Sequence, residues 1–510
     1  MEHTNKKIPE KIFLVVLIAA AAFLVFSNLG NQYLWDDEAQ TALVAKSIFT
    51  HGVPMGRDVV NTYSQEKGIE YGPDFIYKWQ PWLSFYVTAL FFKVFGANEF
   101  GARFGFALFG FLTVLLVYFW GREIAGSRAG MSASVLLLFS IPFLLLARQC
   151  RYYSLTMFFT TLVIYEFMMI LNNKRRNPAL IITALVLLFY SANVNYGIIV
   201  MGMGVFALLF RRDKLPATVK LTLVSMLFVL PWVYYSRNIK FTIVYPDMFS
   251  FENLIDLLPK FAERTADFFF YPVLLIIPGA YLISRFSRKE KVRFSLQEKV
   301  RINLPEGTAF LLLFSVIFLL VTSFVAPIAA FRYLAPLIPV ACVLTALIME
   351  SFFKIHLLAG IGVMAIIIIF NGGFDRYIYE ITHNYDGPTE GIVKYLKANA
   401  APGDIVAMSY GDMPVKFYTD LKCISGLSGD DLALSKKAKF VIIRKDHTGS
   451  RDRYAAKYLK DELIWHQYEK IVLWGYPETL WENREDPRQH YFKTAINMPP
   501  VEIYRKKDGK

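Results

Sequence analysis

The sequence predicts a polytopic α-helical membrane protein carrying a small α/β domain at its C-terminal end. Three observations predict it. The 510 residues are 55% hydrophobic and 16% aromatic, with a mean hydropathy of +0.37, a composition outside the soluble globular range. Apolar runs long enough to cross a bilayer recur up to Phe370 and then stop. Between those runs Lys and Arg gather in short loops, as the positive-inside rule expects. The net charge of +13 is therefore read as membrane orientation, and nucleic acid is not a predicted partner.

The first run, Ile12–Leu29, follows Lys6, Lys7 and Lys11 and lacks a small-residue cleavage site, so it reads as a retained helix. Further spans are predicted at Gly101–Trp120, Gly130–Leu146, Leu155–Leu171, Leu180–Ala192, Gly197–Phe210, Leu215–Tyr235, Phe268–Ile283, Ala309–Phe324, Leu334–Met349 and Ile355–Phe370. That makes about eleven. The short apolar stretch 81–96 is read as an interfacial helix. If it does not cross, Arg122/Arg128, Lys174-Arg175-Arg176, Arg211-Arg212-Lys214, the Ser287–Arg301 segment and Lys354 all share the side of the N-terminus, which the charge rule makes cytoplasmic. The first loop, 31–80, and everything after residue 370 then face outward from a cell inner membrane. Residues 1–370 form the transmembrane unit and 371–510 the extracytoplasmic domain. In the latter, Glu390–Ala398 and Tyr454–Leu463 read as helices, and Asp404–Tyr410, Lys439–Arg444 and Lys470–Gly475 as strands. Cys150, Cys342 and Cys423 match no metal-ligand spacing and form no disulfide framework.

The candidate chemistry lies on the outward face. Asp36-Asp37-Glu38 opens a helical stretch directly after the first span; one acid suffices for an N-cap, and three at a membrane exit point to function. Arg148 and Arg151 share a short turn at the outer end of a span, and Arg332-Tyr333 lies between Pro327 and Pro336. Planar guanidinium forks at these places suit a lipid phosphate, although snorkelling anchors account for such arginines too. Lys78-Trp79-Gln80, with Tyr152, supplies aromatic faces and hydrogen-bonding neighbours of the kind that hold sugars; an interfacial aromatic belt has the same composition. His51 is the further candidate, with Asp37 and Glu38, for a divalent cation, on spacing that matches no metal motif.

Taken in order, the acidic cluster, the aromatic-basic end of the first loop, the Ala-Arg turn and Arg332-Tyr333-Leu334-Ala335-Pro336 resemble the GT-C glycosyltransferases. The resemblance is to the glycosyltransferase family 39 group, related to protein O-mannosyltransferases and lipid A aminoarabinose transferases, and covers roughly Leu34 to Pro339. It implies a sugar donor on a polyprenyl phosphate, a lipid, glycan or protein acceptor, and an essential aspartate matching Asp37. In two places the chain departs from that pattern: Trp79-Gln80-Pro81 replaces a frequent Lys-Pro-Pro, and Ser154 stands where many relatives have Asp. The expected reaction is transfer on the outer face with inversion, Asp37 taking the acceptor proton. A lipid-linked glycan flippase is the alternative, although the predicted spans hold almost no acid besides Glu166.

Overall fold

A computed structural model describes residues 7–174, 177–239, 241–243, 245–265, 306–384, 386–444, 450–479, 490 and 498–507. The predicted span Phe268–Ile283 and the basic segment Ser287–Arg301 lie outside them. The helical unit runs α1 (Lys7–Phe26), α2 (Asp36–His51), α3 (Leu83–Phe95), α4 (Glu99–Ala125), α5 (Ser127–Leu138), α6 (Ile141–Ala147), α7 (Tyr153–Leu171), α8 (Pro178–Ser191), α9 (Asn193–Phe210), α10 (Leu215–Ser236), α11 (Phe251–Thr265), α12 (Glu306–Val325), α13 (Leu337–Ile355), α14 (Leu357–Asn371) and α15 (Phe374–Thr382). Among the described residues six of these are long and apolar enough to cross a membrane, or eight if each bent pair counts as one span.

Two predicted spans are not simple rods. Gly130–Leu146 is broken into α5 and α6, bent by 68°. The break follows from the sequence Ser140-Ile141-Pro142: the Ser140 side chain caps α6, and Pro142 sits in the first turn, where its missing N–H costs nothing. The last predicted span continues as α14 and then α15 after a 66° bend at Gly372-Gly373. Helix α3 has 13 residues, about 20 Å at 1.5 Å per residue, short of the roughly 30 Å hydrocarbon core. The same arithmetic applies to α8. Helices α4 and α5 pack backbone to backbone, because a Cβ on Gly130 would lie 2.4 Å from the Tyr118 carbonyl oxygen.

One end of the bundle is a layer of ion pairs. Glu10 accepts from Tyr118 at 2.5 Å and meets Arg122 at 3.2 Å, Arg128 faces Glu350 at 3.7 Å, and Lys174 pairs with Glu123. Arg211 donates to the Leu171 carbonyl at this same end. The opposite end carries the first loop and the tail domain. The tail contributes α16 (Pro388–Asn399), β1 (Ile405–Met408), α17 (Asp412–Tyr418), β2 (Lys422–Ser425), β3 (Phe440–Ile442), α18 (Ser450–Glu462), β4 (Tyr468–Pro477) and β5 (Pro500–Lys506). The sheet order is β2-β1-β3-β5-β4, parallel in its first three strands and antiparallel thereafter. Loop and tail are bonded along a seam. The Asn61 side chain donates to the Leu421 carbonyl and accepts from the Cys423 N–H, both at 2.9 Å, and Lys416 donates to the Thr62 carbonyl at 2.8 Å.

Candidate functional site

Helix α2 starts after Trp35, whose extended backbone caps it without a side-chain bond. None of the three acids is spent on that cap, and each turns a different way. Glu38 is fully buried and takes a two-pronged bond from Arg103, with Nε at 2.9 Å and Nη2 at 2.6 Å, together with the Cys150 N–H at 2.7 Å. Arg103 spends its other donors on the Leu29, Gln32 and Tyr33 carbonyls. All strong partners of this pair are internal, so it fastens α1, α2, α4 and the turn before α7 together. Asp36, also buried, accepts from Gln65 Nε2 at 2.6 Å and from the Met413 N–H of α17 at 3.3 Å. Burial, with the neighbouring Asp412 and Asp37 carboxylates, holds its carboxyl well above the ordinary aspartate range. It joins α2 to the tail domain.

Of the three acids, Asp37 is the one whose carboxylate meets Arg151 and Arg332. Its Oδ2 lies 3.1 Å from Arg332 Nη1 and 3.5 Å from Arg151 Nη2, and all three side chains retain some exposure. Arg151 is further fixed by bonds to the Asp37 carbonyl at 3.2 Å and to Thr41 Oγ1 at 3.1 Å. Arg332 sits in a single 3₁₀ turn, Phe331–Leu334, that follows Pro327. The two arginines of the Ala-Arg turn therefore separate. Arg148 points the other way, donating to the Leu24 and Val25 carbonyls at 3.1 Å, where it satisfies the free end of α1 beneath the Tyr377 ring.

Beside the Asp37–Arg332 pair opens a cavity of about 190 Å³. It gathers Trp79, Gln80, Tyr152, Arg332 and Tyr333 from three separate parts of the sequence. Residues that the sequence reading missed complete it. Asn193 and Asn195 come from the first turn of α9, just past its one-residue junction with α8, and Tyr245, whose hydroxyl donates to Glu66 at 2.8 Å, comes from the loop after α10. The polar run Ser191-Ala192-Asn193-Val194-Asn195 between two apolar segments was the available signal for the asparagines; nothing in the sequence marked Tyr245. One wall is apolar, formed by Met248, Val325, Ala326 and Pro327. Lys78 stands aside, bonded to Asp74 at 3.0 Å and lying over the Tyr235 ring. Beneath the site, Glu70 accepts from Ser64, from the Gln65 and Glu66 N–H groups and from Gln40, and burial pushes its carboxyl up to about 7. It thereby holds the loop that presents Gln65 to Asp36 and Glu66 to Tyr245.

A divalent cation does not suit this donor set. Asp37 already faces two guanidiniums, Glu38 is consumed by Arg103, and His51 lies fourteen residues further along α2, about 21 Å from Asp37. The candidate trio Asp37, Glu38 and His51 is therefore not brought together, and among the described residues no group of three His, Cys, Asp or Glu side chains forms a metal site.

A bundle of membrane-length helices with an acidic first-loop helix under a mixed C-terminal domain is the architecture of the GT-C membrane glycosyltransferases. The comparisons place this chain in that fold. Residues 79–235 match the family described as dolichyl-phosphate-mannose-protein mannosyltransferase; the match takes in Trp79, Gln80, Arg151 and Tyr152 and leaves Asp37 and Arg332 outside. ArnT from Cupriavidus metallidurans, solved with undecaprenyl phosphate, superimposes with a TM-score of 0.60 at 14% identity, covering 96% of this chain and 97% of ArnT. The Archaeoglobus fulgidus oligosaccharyltransferase, solved with zinc and sulfate, gives a TM-score of 0.54 at 13% identity over 85% of this chain and 68% of that one. A protein of Aquifex aeolicus (strain VF5), described as uncharacterized, is 33% identical over 159 residues, which span 30% of this chain and 29% of that protein.

Proposed function

We propose that this protein is a glycosyltransferase that takes a sugar from a polyprenyl-phosphate donor and transfers it to a hydroxyl-bearing lipid, glycan or protein acceptor on the outward face of the inner membrane. The observation that carries the reading is one carboxylate held against two arginines at the edge of a cavity lined by aromatic, amide and hydroxyl side chains. Fold alone would not carry it, since one fold hosts many activities. The undecaprenyl phosphate bound by ArnT supports the donor class.

The chemistry follows from the pairing. A lipid phosphate is a good leaving group without protonation, so the donor side needs fixed positive charge where the anion develops. Arg332 and Arg151 supply it. As the donor phosphate engages them it replaces Asp37 as their partner, and the released carboxylate takes the proton of the acceptor hydroxyl while that oxygen attacks the anomeric carbon. The carbon–oxygen bond to phosphate breaks on the opposite face, giving inversion. Trp79, Tyr152 and Tyr333 offer ring faces to the sugar, and Gln80, Asn193 and Asn195 offer amides to its hydroxyls. The apolar wall lies where the first isoprene units would leave the cavity. The ion-pair layer with its surplus of Lys and Arg would face the cytoplasm, with the tail domain and first loop outside.

The test is sugar transfer or release by purified protein given a panel of radiolabelled polyprenyl-phosphate sugars, with Asp37→Asn alongside. Turnover of one donor by the wild type, lost in the variant, is the expected result. A folded wild-type protein that turns over none of them would overturn the reading in favour of lipid-linked glycan transport.

A further inference from the structure

A second cavity, of about 610 Å³, opens at the far end of α2, against residues 55–63 of the first loop. It shares no residue with the cavity beside Asp37. Three cationic or protonatable side chains border it: Lys46, His51 and Arg57, all exposed. Among the described residues none of the three meets a carboxylate. Lys46 lies over the Phe417 ring at 5.4 Å and Arg57 over the Phe75 ring at 3.7 Å. Stacking fixes each charge on one aromatic face and leaves its N–H edge open to an anion. The carboxylate in the lining, Asp58, is internally satisfied, accepting from the Val60 N–H at 2.7 Å, the Asn61 N–H at 2.5 Å and the Tyr63 hydroxyl at 2.5 Å. The pocket is therefore a net positive bowl whose one acid is engaged by two backbone N–H groups and the Tyr63 hydroxyl.

Its surroundings choose between a free anion and a lipid headgroup. Phe49 is half exposed, Val60 is exposed and Val59 is fully so, a set of apolar side chains beside the cations. The Tyr86 hydroxyl of α3 donates to the Gly52 carbonyl at 3.1 Å, tying the end of α2 to the first turn of a helix whose Leu90 and Val94 are also exposed. Cations flanked by exposed apolar groups on the perimeter of a membrane bundle match the phosphate level of a leaflet. A soluble anion would require no apolar neighbours.

We infer that the bowl formed by Lys46, His51 and Arg57 binds the phosphate of an anionic membrane lipid, at a position separate from the donor cavity. Lys46 lies nine residues beyond Asp37, about 14 Å along α2, so the lipid held there is a second lipid and its phosphate is not the one at the reacting carbon. The inference stands on this pocket alone and survives or fails independently of the transferase reading.

The full-length protein, purified in neutral detergent and offered mixed phosphatidylglycerol and phosphatidylcholine, tests it through the lipid retained per protein molecule by native mass spectrometry. Wild type is expected to retain phosphatidylglycerol preferentially, and Lys46→Gln combined with Arg57→Gln to lower that retention about tenfold. Lys93→Gln combined with Lys220→Gln, which removes the same charge elsewhere, is expected to leave it unchanged. His51→Asp, a surface change at the end of α2, introduces repulsion without disturbing the stacked cations and is expected to lower retention as well, which guards against misfolding of the double variant. Equal retention in all variants overturns the site. Competition by inorganic phosphate as effective as that by phosphatidylglycerol overturns the lipid assignment.

Discussion

Asp37 and Glu38 are neighbours in the chain, both meet arginine, and they serve opposite ends. Glu38 is closed in by Arg103 and a backbone N–H with no route to solvent; Asp37 meets two arginines at longer range beside a cavity. The first arrangement is what a fastening requires, since a buried pair is costly to break. The second is what exchange requires, since looser partners can be surrendered to an incoming anion. An acid–arginine contact therefore says little about function until the exposure and geometry of both partners are known.

Neutralising each acid in turn separates the two roles. Asp37→Asn is expected to lower transfer by about 10²–10⁴-fold, the range for loss of a general base, while its unfolding temperature stays close to wild type. Glu38→Ala should do the reverse, destabilising the protein by about 3–5 kcal/mol by leaving Arg103 buried and unpaired, seen as a large fall in thermal unfolding temperature in detergent. If Asp37→Asn unfolds the protein and Glu38→Ala spares it, the assignment of roles is wrong.

A third acid sharpens the contrast through pH. The folded carboxyl of Glu70 is raised from an ordinary 4.5 to about 7, so between those values the unfolded chain has lost a proton that the native state keeps. Stability therefore declines as pH rises through that window, by up to about 3 kcal/mol, and levels off above it. Burial of Asp36 acts in the same direction. Thermal unfolding from pH 4.5 to 8 should show the decline in wild type and a flatter profile in Glu70→Gln; identical profiles would remove Glu70 as the cause.

Smaller effects separate the arginines and the aromatic wall. Arg332→Gln is expected to reduce kcat/KM about 10–100-fold with little change in unfolding temperature, on the scale of one charge-assisted contact. Arg148→Gln is expected to lower the unfolding temperature and leave the donor KM alone, because it caps α1. Trp79→Ala should raise the donor KM roughly 3–10-fold, as expected for one aromatic face, with kcat little changed. An effect of Arg148→Gln on donor KM equal to that of Arg332→Gln would erase the distinction.

Much of this was legible in the sequence, and the limits have physical causes. Apolar runs and charged loops located the helical unit, and the alternation after residue 400 located β1, β3 and β4, because each depends on short-range pattern. Strand β2 is four residues long and pairs with β1 only across α17, so no local period announces it; α17 contains Pro414, a breaker anywhere but the first turn. At the site, Trp79, Gln80, Tyr152, Arg332 and Tyr333 could be singled out by residue type and by position at helix ends. The divergence of Arg148 from Arg151 could not, since it depends on where the carbonyl end of α1 lies, more than a hundred residues earlier. Tyr245 was invisible for the same reason, its place being set by Glu66 across the fold.

The seam between the first loop and the tail has a consequence in time. Asn61 finds its partners 360 and 362 positions later, and Asp36 bonds a backbone amide 377 positions away. At ribosomal speeds of about 5–20 residues per second, the loop bearing Asp37 leaves the ribosome roughly 20–70 s before the strand that completes its hydrogen bonds exists. Through that interval its polar backbone is satisfied by water, and contacts of such long sequence separation form late. The chain thus assembles its helices progressively and its candidate site last, so a copy released early would hold a membrane bundle with no finished place for the chemistry.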